Sequence, residues 1–271
     1  MARTVFFISD GTGITAETLG HSLLTQFDLG DVHQVRVPFV DTLERVEKAA
    51  LSIRRAQAED GHRPLVLHTV IDQSHAKVLE DTEACVVDLF GRLVAPLERE
   101  FGLVRKRRVG QAHAMTNVDT YDLRMEATNY ALRHDDGADL DYGEADVVLL
   151  GVSRSGKTPT CLYMALQFGV KAANYPLTVD DLESGQLPAA VRDDRSKIFG
   201  LTIEPERLAH IREARRPGSR YAALAQCRRE VGDAELLFQG FNVPHLNTTH
   251  TSVEEICTKV LHKFRLKRRL Y

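Results

Sequence analysis

From Asp146 to Thr160 the chain reads Asp-Val-Val-Leu-Leu-Gly-Val-Ser-Arg-Ser-Gly-Lys-Thr-Pro-Thr. The run Val147–Leu150 is apolar without alternation, which is the pattern of a strand buried on both faces. Gly151-Val152-Ser153-Arg154-Ser155-Gly156-Lys157-Thr158 follows it and has the G-x-x-x-x-G-K-[ST] spacing of a phosphate-binding loop. Each position has a chemical reason. Glycines let successive backbone N–H groups curl around phosphate oxygens. Lys157 can place a compact charge on a β-phosphate, and the Thr158 hydroxyl can ligate Mg²⁺. A helix expected over Pro159–Phe168, closed by Gly169, turns its free N–H groups and dipole toward the same anion. Pro159 suits the first helical turn, where a missing N–H costs nothing. Gly151–Thr158 is thus the expected nucleotide-binding segment. Lys157 and Thr158 are expected to act in catalysis, with Thr158 as the metal ligand.

Working outward, strands and helices alternate, which predicts an α/β fold. Strands are expected at Thr4–Ile8, Val35–Val40, Pro64–Val70, Asp146–Leu150, Ile198–Thr202 and Val243–Leu246. Helices are expected at Thr15–Phe27, Leu43–Ala58, Ala84–Glu100, Tyr121–His134 and Pro205–Arg215. A last helix runs to Phe264, opened by the overlapping capping boxes of Thr251 and Ser252 with Glu254 and Glu255. This divides the chain into an α/β domain over 1–110, a linking helix and joint over 111–143, and a kinase-like parallel sheet flanked by helices over 144–271. No internal repeat of solenoid length is present.

Of 271 residues, 43% are hydrophobic, enough for a real core, and the net charge of -3 gives no bulk attraction to nucleic acid or anionic membrane. Cys85, Cys161, Cys227 and Cys257 match no zinc spacing and read as reduced thiols. The apolar run at Val5–Ile8 is too short for a signal peptide or a span, so a cytoplasmic protein is expected. A homodimer is left open.

An acidic residue closing the strand after the loop, as in many nucleotide hydrolases, is missing. Ile198–Thr202 continues instead to Ile203 and Glu204, and Glu204, Asp180 and Asp181 read as caps or surface groups. Seven arginines lie between Arg207 and Arg229, among them Arg215, Arg216 and Arg220, around the break at Pro217-Gly218. They read either as a mobile lid that neutralises a transferring phosphoryl group or as a solvated helical face with glutamate partners. Arg105–Arg108 and the tail Lys263–Arg269 are short basic stretches, and the tail reads as solvated. Asp10-Gly11-Thr12-Gly13 also joins a strand to a helix, and either binds phosphate or only reverses the chain. His134-Asp135-Asp136-Gly137 ends a helix, where acids oppose the dipole. Asp135 and Asp136 read either as turn residues or as a general base or Mg²⁺ partner.

Several strings together resemble the bacterial regulatory proteins of phosphoenolpyruvate synthase. They are Phe7–Thr12, His134–Gly137, Gly151–Thr160, Ala172–Pro176, Phe199–Thr202, Pro205–Leu208, Ser219–Tyr221 and Ser252–Ile256. Regulators of pyruvate, phosphate dikinase share parts of the loop but often lack the glycine found here at Gly156, which favours the synthase branch. The resemblance implies a kinase that phosphorylates and inactivates a synthase threonine with ADP. It also implies the reversal, in which inorganic phosphate attacks phosphothreonine and yields pyrophosphate. The expected partner is then phosphoenolpyruvate synthase. The competing readings are a small-molecule kinase, which leaves residues 1–110 without a role, and a nucleotide sensor that transfers nothing. ADP selection needs groups beyond the β-phosphate. Asp10–Thr12 and Asp135–Asp136 are the candidates, with one of the acids accepting the threonine proton.

Overall fold

The computed structural model describes residues 3–106 and 118–266. Arg107 and Arg108, residues 111–117 of the expected joint and residues 267–269 of the basic tail lie outside the described residues. The chain divides into two compact units, Met1–Ala114 and Met115–Tyr271.

In the first unit the order is β1 (Arg3–Ile8), α1 (Ile14–Leu24), β2 (Val32–Val37), α2 (Leu43–Asp60), β3 (Leu65–His68), α3 (Gln73–Glu80), β4 (Cys85–Asp88) and α4 (Gly91–Phe101). All pairings are parallel, in the order β2-β1-β3-β4. Successive residues of β1 serve opposite faces. Phe6 and Ile8 meet Val46, Ala49 and Ile53 of α2, while Val5 and Phe7 meet Ala16 of α1. The helix expected over Ala84–Glu100 is instead β4 followed by α4. Cys85-Val86-Val87 has the β-branched content of a strand, and its edge place beside β3 supplies the ladder.

The second unit runs α5 (Val118–Arg133), β5 (Val147–Gly151), α6 (Lys157–Phe168), β6 (Ala172–Pro176), α7 (Val179–Ser184), α8 (Ala189–Arg192), β7 (Ile198–Thr202), α9 (Pro205–Arg215), α10 (Leu224–Gly240), β8 (His245–Asn247) and α11 (Val253–Phe264). Its sheet is again parallel, in the order β6-β5-β7-β8. The two units therefore share one strand order although no sequence repeat announces it. Val148 and Leu150 pack toward α7–α10, and Val147 and Leu149 toward α5, α6 and α11. All four are fully buried, and each such aliphatic side chain contributes roughly 1.5–3 kcal/mol. Segment 118–133, which the sequence places in a joint, is the helix packed on α6 and β6 in this unit. Among the described residues, no helix is long and apolar enough to cross a membrane.

β5 is the switch point of this sheet. The chain leaves it for β6 on one side and returns to β7 on the other, which opens a crevice at its carboxyl end. The loop after β5 lies there. The two loop glycines have different reasons. Gly156 has φ 91° and caps α6 in the left-handed region. Gly151 is needed for space: a Cβ would lie 2.3 Å from the Leu201 carbonyl oxygen and 2.8 Å from Ser155 Oγ.

Gly151→Ala is therefore expected to destabilise the fold by about 1–3 kcal/mol. The check is a lower urea midpoint at unchanged m-value. A midpoint equal to wild type would show that the strand end has room to yield.

Candidate active site

Ser153, Arg154, Gly156, Lys157, Thr158 and Pro159 line a cavity of about 220 Å³ together with Asp136. Arg154 has φ 76°, so the loop carries left-handed residues at both Arg154 and Gly156. Such alternation turns backbone N–H groups toward one concavity, the shape that accepts an anion. A left-handed arginine is strained, and strain of this kind is retained where the surroundings fix it. Outer contacts hold the loop in shape. Thr248 donates its hydroxyl to the Ser155 carbonyl (3.1 Å), and Leu177 N–H donates to the Gly151 carbonyl (3.0 Å).

Lys157 is 3% exposed and its Nζ donates to the Val152 carbonyl at 3.0 Å, back across its own loop. Burial lowers its pKa from the ordinary 10.5 to about 8, against the opposing pull of Asp136 and Asp135. A group so placed gains from a phosphate beside it, because an anion restores the solvation that burial removed.

Thr158 donates its hydroxyl to Asp135 Oδ1 at 2.7 Å. The sequence pairs Thr158 with no particular acid, and the strand after the loop ends without one. The acid comes from upstream, in the turn between α5 and β5. His134 anchors that turn. Its ring is 3% exposed, stacks on Tyr130 with centroids 3.9 Å apart, and sets its nitrogens 2.9 Å and 3.0 Å from the carbonyl oxygens of Tyr130 and Asp141. Asp136 then turns left-handed (φ 49°, ψ 32°) and reaches the cavity wall. The hydroxyl of Thr158 and the carboxylate of Asp135 are hard oxygen donors of the kind Mg²⁺ prefers. Among the described residues no group of three or more His, Cys, Asp or Glu is placed to hold a metal. A cation here would thus complete its shell with phosphate oxygens and water.

The remaining expected residues fall elsewhere. Arg215 ends α9 and Arg220 opens a short 3-10 turn; both are exposed, and neither lines the cavity. The arginine that reaches the loop is Arg212, fully buried, whose Nη2 donates to the Ser153 carbonyl (3.1 Å) and to Glu230 (2.7 Å). Its guanidinium lies 4.1 Å from the Tyr221 ring centroid, and the Tyr221 hydroxyl shares a 2.9 Å hydrogen bond with Ser153 Oγ. Asp181 forms the capping box of α7 with Thr178, and Glu204 stands at the N-cap position of α9 without a side-chain capping bond. In the first unit Asp10 accepts from Ile71 N–H at 2.8 Å, and burial raises its pKa against that bond. The Asp10–Gly13 turn thus ties β1 to the end of β3. Arg212 and Tyr221 had no distinguishing signal in an arginine-rich stretch beyond the Ser219–Tyr221 string.

Strand, glycine-bearing loop, buried lysine and a threonine facing an acid together define an α/β protein with a polar cavity at the carboxyl end of β5. Comparison with known proteins places it further. The kinase/pyrophosphorylase family matches residues 5–261, and the chain belongs to that family. Stenotrophomonas maltophilia (strain K279a) has a relative 53% identical over 269 residues, covering 99% of this chain and 98% of the relative. A relative in Xanthomonas campestris pv. campestris (strain B100) is 51% identical over 269 residues, with the same shares of 99% and 98%. Both are provisionally named phosphoenolpyruvate synthase regulatory proteins.

The lowered Lys157 pKa has a consequence for stability. The unfolded chain holds that proton more tightly than the fold, so charging Lys157 costs the fold about 3 kcal/mol below pH 8. The cost is relieved as pH rises from about 8 toward 10.5. Lys157→Met is expected to be at least as stable as wild type at pH 7, with its advantage shrinking by pH 10. Thermal melts across that range check this; a variant less stable at pH 7 than at pH 10, relative to wild type, would contradict it.

Proposed function

We propose that this chain regulates phosphoenolpyruvate synthase by adding and removing a phosphoryl group on a threonine of that enzyme. Phosphorylation uses ADP and inactivates the synthase; removal uses inorganic phosphate and releases pyrophosphate. One observation carries the reading at the site. Lys157 and Thr158 line one cavity and Asp135 accepts from Thr158 beside it, so charge for a β-phosphate and oxygen donors for Mg²⁺ meet at one loop. Full-length similarity to the Stenotrophomonas and Xanthomonas proteins supports the choice of target.

In the forward step the target threonine oxygen bonds to the β-phosphorus of ADP, the bridge to the α-phosphate breaks, and AMP leaves. The threonine proton passes to a base. Asp136 is suited to this, since it faces the cavity while Asp135 is engaged with Thr158. In the second reaction a phosphate oxygen bonds to the phosphothreonine phosphorus, and the threonine oxygen leaves and regains a proton. Pyrophosphate is the product. Both reactions place a phosphate against the loop amides and Lys157, whose charge stabilises negative charge spreading over the transferring oxygens. Bound Mg²⁺ would neutralise phosphate charge beside Thr158 and Asp135. Tyr221 and Arg212 keep Ser153 in place at the loop's outer side.

Purified synthase incubated with this protein and labelled ADP is expected to give AMP and phosphothreonine in equal amounts, and inorganic phosphate to give pyrophosphate. Lys157→Ala should abolish both directions. Phosphorolysis surviving near the wild-type rate while kinase activity vanishes would contradict a shared loop. Asp136→Asn should slow phosphorylation by about 100-fold or more with ADP affinity within about twofold of wild type by calorimetry. Normal turnover in that variant would leave Asp136 as a turn residue and move the base elsewhere.

A further inference from the structure

Asn174 belongs to β6 and is fully buried. It lies on the edge of the sheet, where its neighbour is no strand but the His134–Gly137 turn. Its backbone N–H donates to the His134 carbonyl (3.2 Å), its Oδ1 accepts from Asp136 N–H (3.1 Å), and its Nδ2 donates to Asp135 Oδ1. Nδ2 also lies 3.4 Å from Thr158 Oγ1. The amide orientation is fixed by its partners, since a carboxylate can only accept and a backbone N–H can only donate. One residue thus holds three successive residues of the turn, His134 through its backbone and Asp135 and Asp136 through its side chain, and its amide touches the threonine of the loop.

We infer that Asn174 is the positioning residue that sets Asp135 against Thr158 and so prepares the cation site. This rests on the proposed reading of that site as a Mg²⁺–nucleotide site. The hydrogen bonds from Asn174 and Thr158 both end on Asp135 Oδ1. Among the described residues Asp135 Oδ2 carries no hydrogen bond, so it remains available to a cation or to a water in its shell. Without the amide, the turn loses both of its side-chain ties to β6, the orientation of Asp135 and the anchor of the Asp136 N–H, and the contact with Thr158 is lost with them. Asp136 is left-handed, a conformation that costs a non-glycine residue energy and that the bond from its N–H to Asn174 helps to hold. Partners that orient a metal ligand in this way typically change metal affinity by about 10–100-fold when removed.

Asn174→Leu keeps the volume and removes both hydrogen-bonding ends. ADP is titrated by calorimetry into wild type, Asn174→Leu, Asp135→Asn and the double variant, each with Mg²⁺ and with a chelator. Wild type is expected to bind ADP in both conditions and more tightly with Mg²⁺. Asn174→Leu should match wild type within about twofold in chelator and lose about 10-fold or more of the Mg²⁺-dependent gain. The double variant should show no further loss beyond Asp135→Asn alone, because Asn174 acts through Asp135. A full Mg²⁺ response in Asn174→Leu overturns the inference. So does an equal weakening in both conditions, or losses that add in the double variant, since each marks a merely structural residue. If Asn174→Leu does not fold, Asn174→Ser carries the same comparison, with a smaller loss because a hydroxyl donor remains. Wild type that binds no ADP in either condition overturns the nucleotide reading itself, and the inference with it.

Discussion

β5 has a hydrogen-bonded strand on each edge and helices on each face, and this double enclosure places everything else in the second unit. A strand so enclosed has no freedom to shift register. Its neighbours β6 and β7 are reached by connections running opposite ways, so its carboxyl end must open into a crevice. Gly151 tightens the constraint further, because its Cα lies too close to the Leu201 carbonyl to accept a side chain. The loop therefore begins from a fixed point, and α6 begins at a fixed point beyond it. What lies between is a backbone curve that turns left-handed at Arg154 and Gly156. Binding energy is not then spent on forming the curve when a ligand arrives.

The chemistry depends on a second constraint from a different part of the chain. The acid that faces Thr158 is supplied by the turn before β5, not by the end of the next strand. That turn can serve because His134 is locked between Tyr130 and the Asp141 carbonyl, and because β6 offers its outer edge to it. Two neighbouring acids then have separate environments. Asp135 accepts hydrogen bonds from Thr158 and Asn174, and Asp136 faces the cavity. Adjacent carboxylates with different partners can take different tasks, one at a cation and one at a proton.

Much of this was legible in the sequence where local chemistry suffices. Ile198–Thr202 and Pro205–Arg215 are found at the residues where apolar runs and the N-terminal proline put them. The Ser252–Glu255 capping box likewise opens α11. β6 escaped because Ala172-Ala173-Asn174-Tyr175-Pro176 lacks β-branched residues; its small side chains are suited to close helices rather than to any strand preference. β4 escaped because its run is short and flows into a helical pattern. α10 escaped because its first turns fall in the Arg207–Arg229 segment read for its charges, although one of its faces is apolar. At the site, the loop residues were legible because their spacing is local. Asn174 was not, since its partners lie 16 and 39 positions away in the chain. Nor was Arg212, because burial of one arginine among several is decided by tertiary packing.

The proposed function requires the loop after β5 and the upstream Asp135 to form one phosphate-and-cation site. Crystals grown with ADP and Mn²⁺, the latter as an anomalously scattering substitute for Mg²⁺, test it most directly. The β-phosphate is expected within the Ser153–Thr158 curve, with one anomalous peak within about 2.0–2.6 Å of Thr158 Oγ1, on the Asp135 side. ADP bound away from the loop, or a cation held by acids elsewhere with Thr158 still bonded only to Asp135, would contradict it.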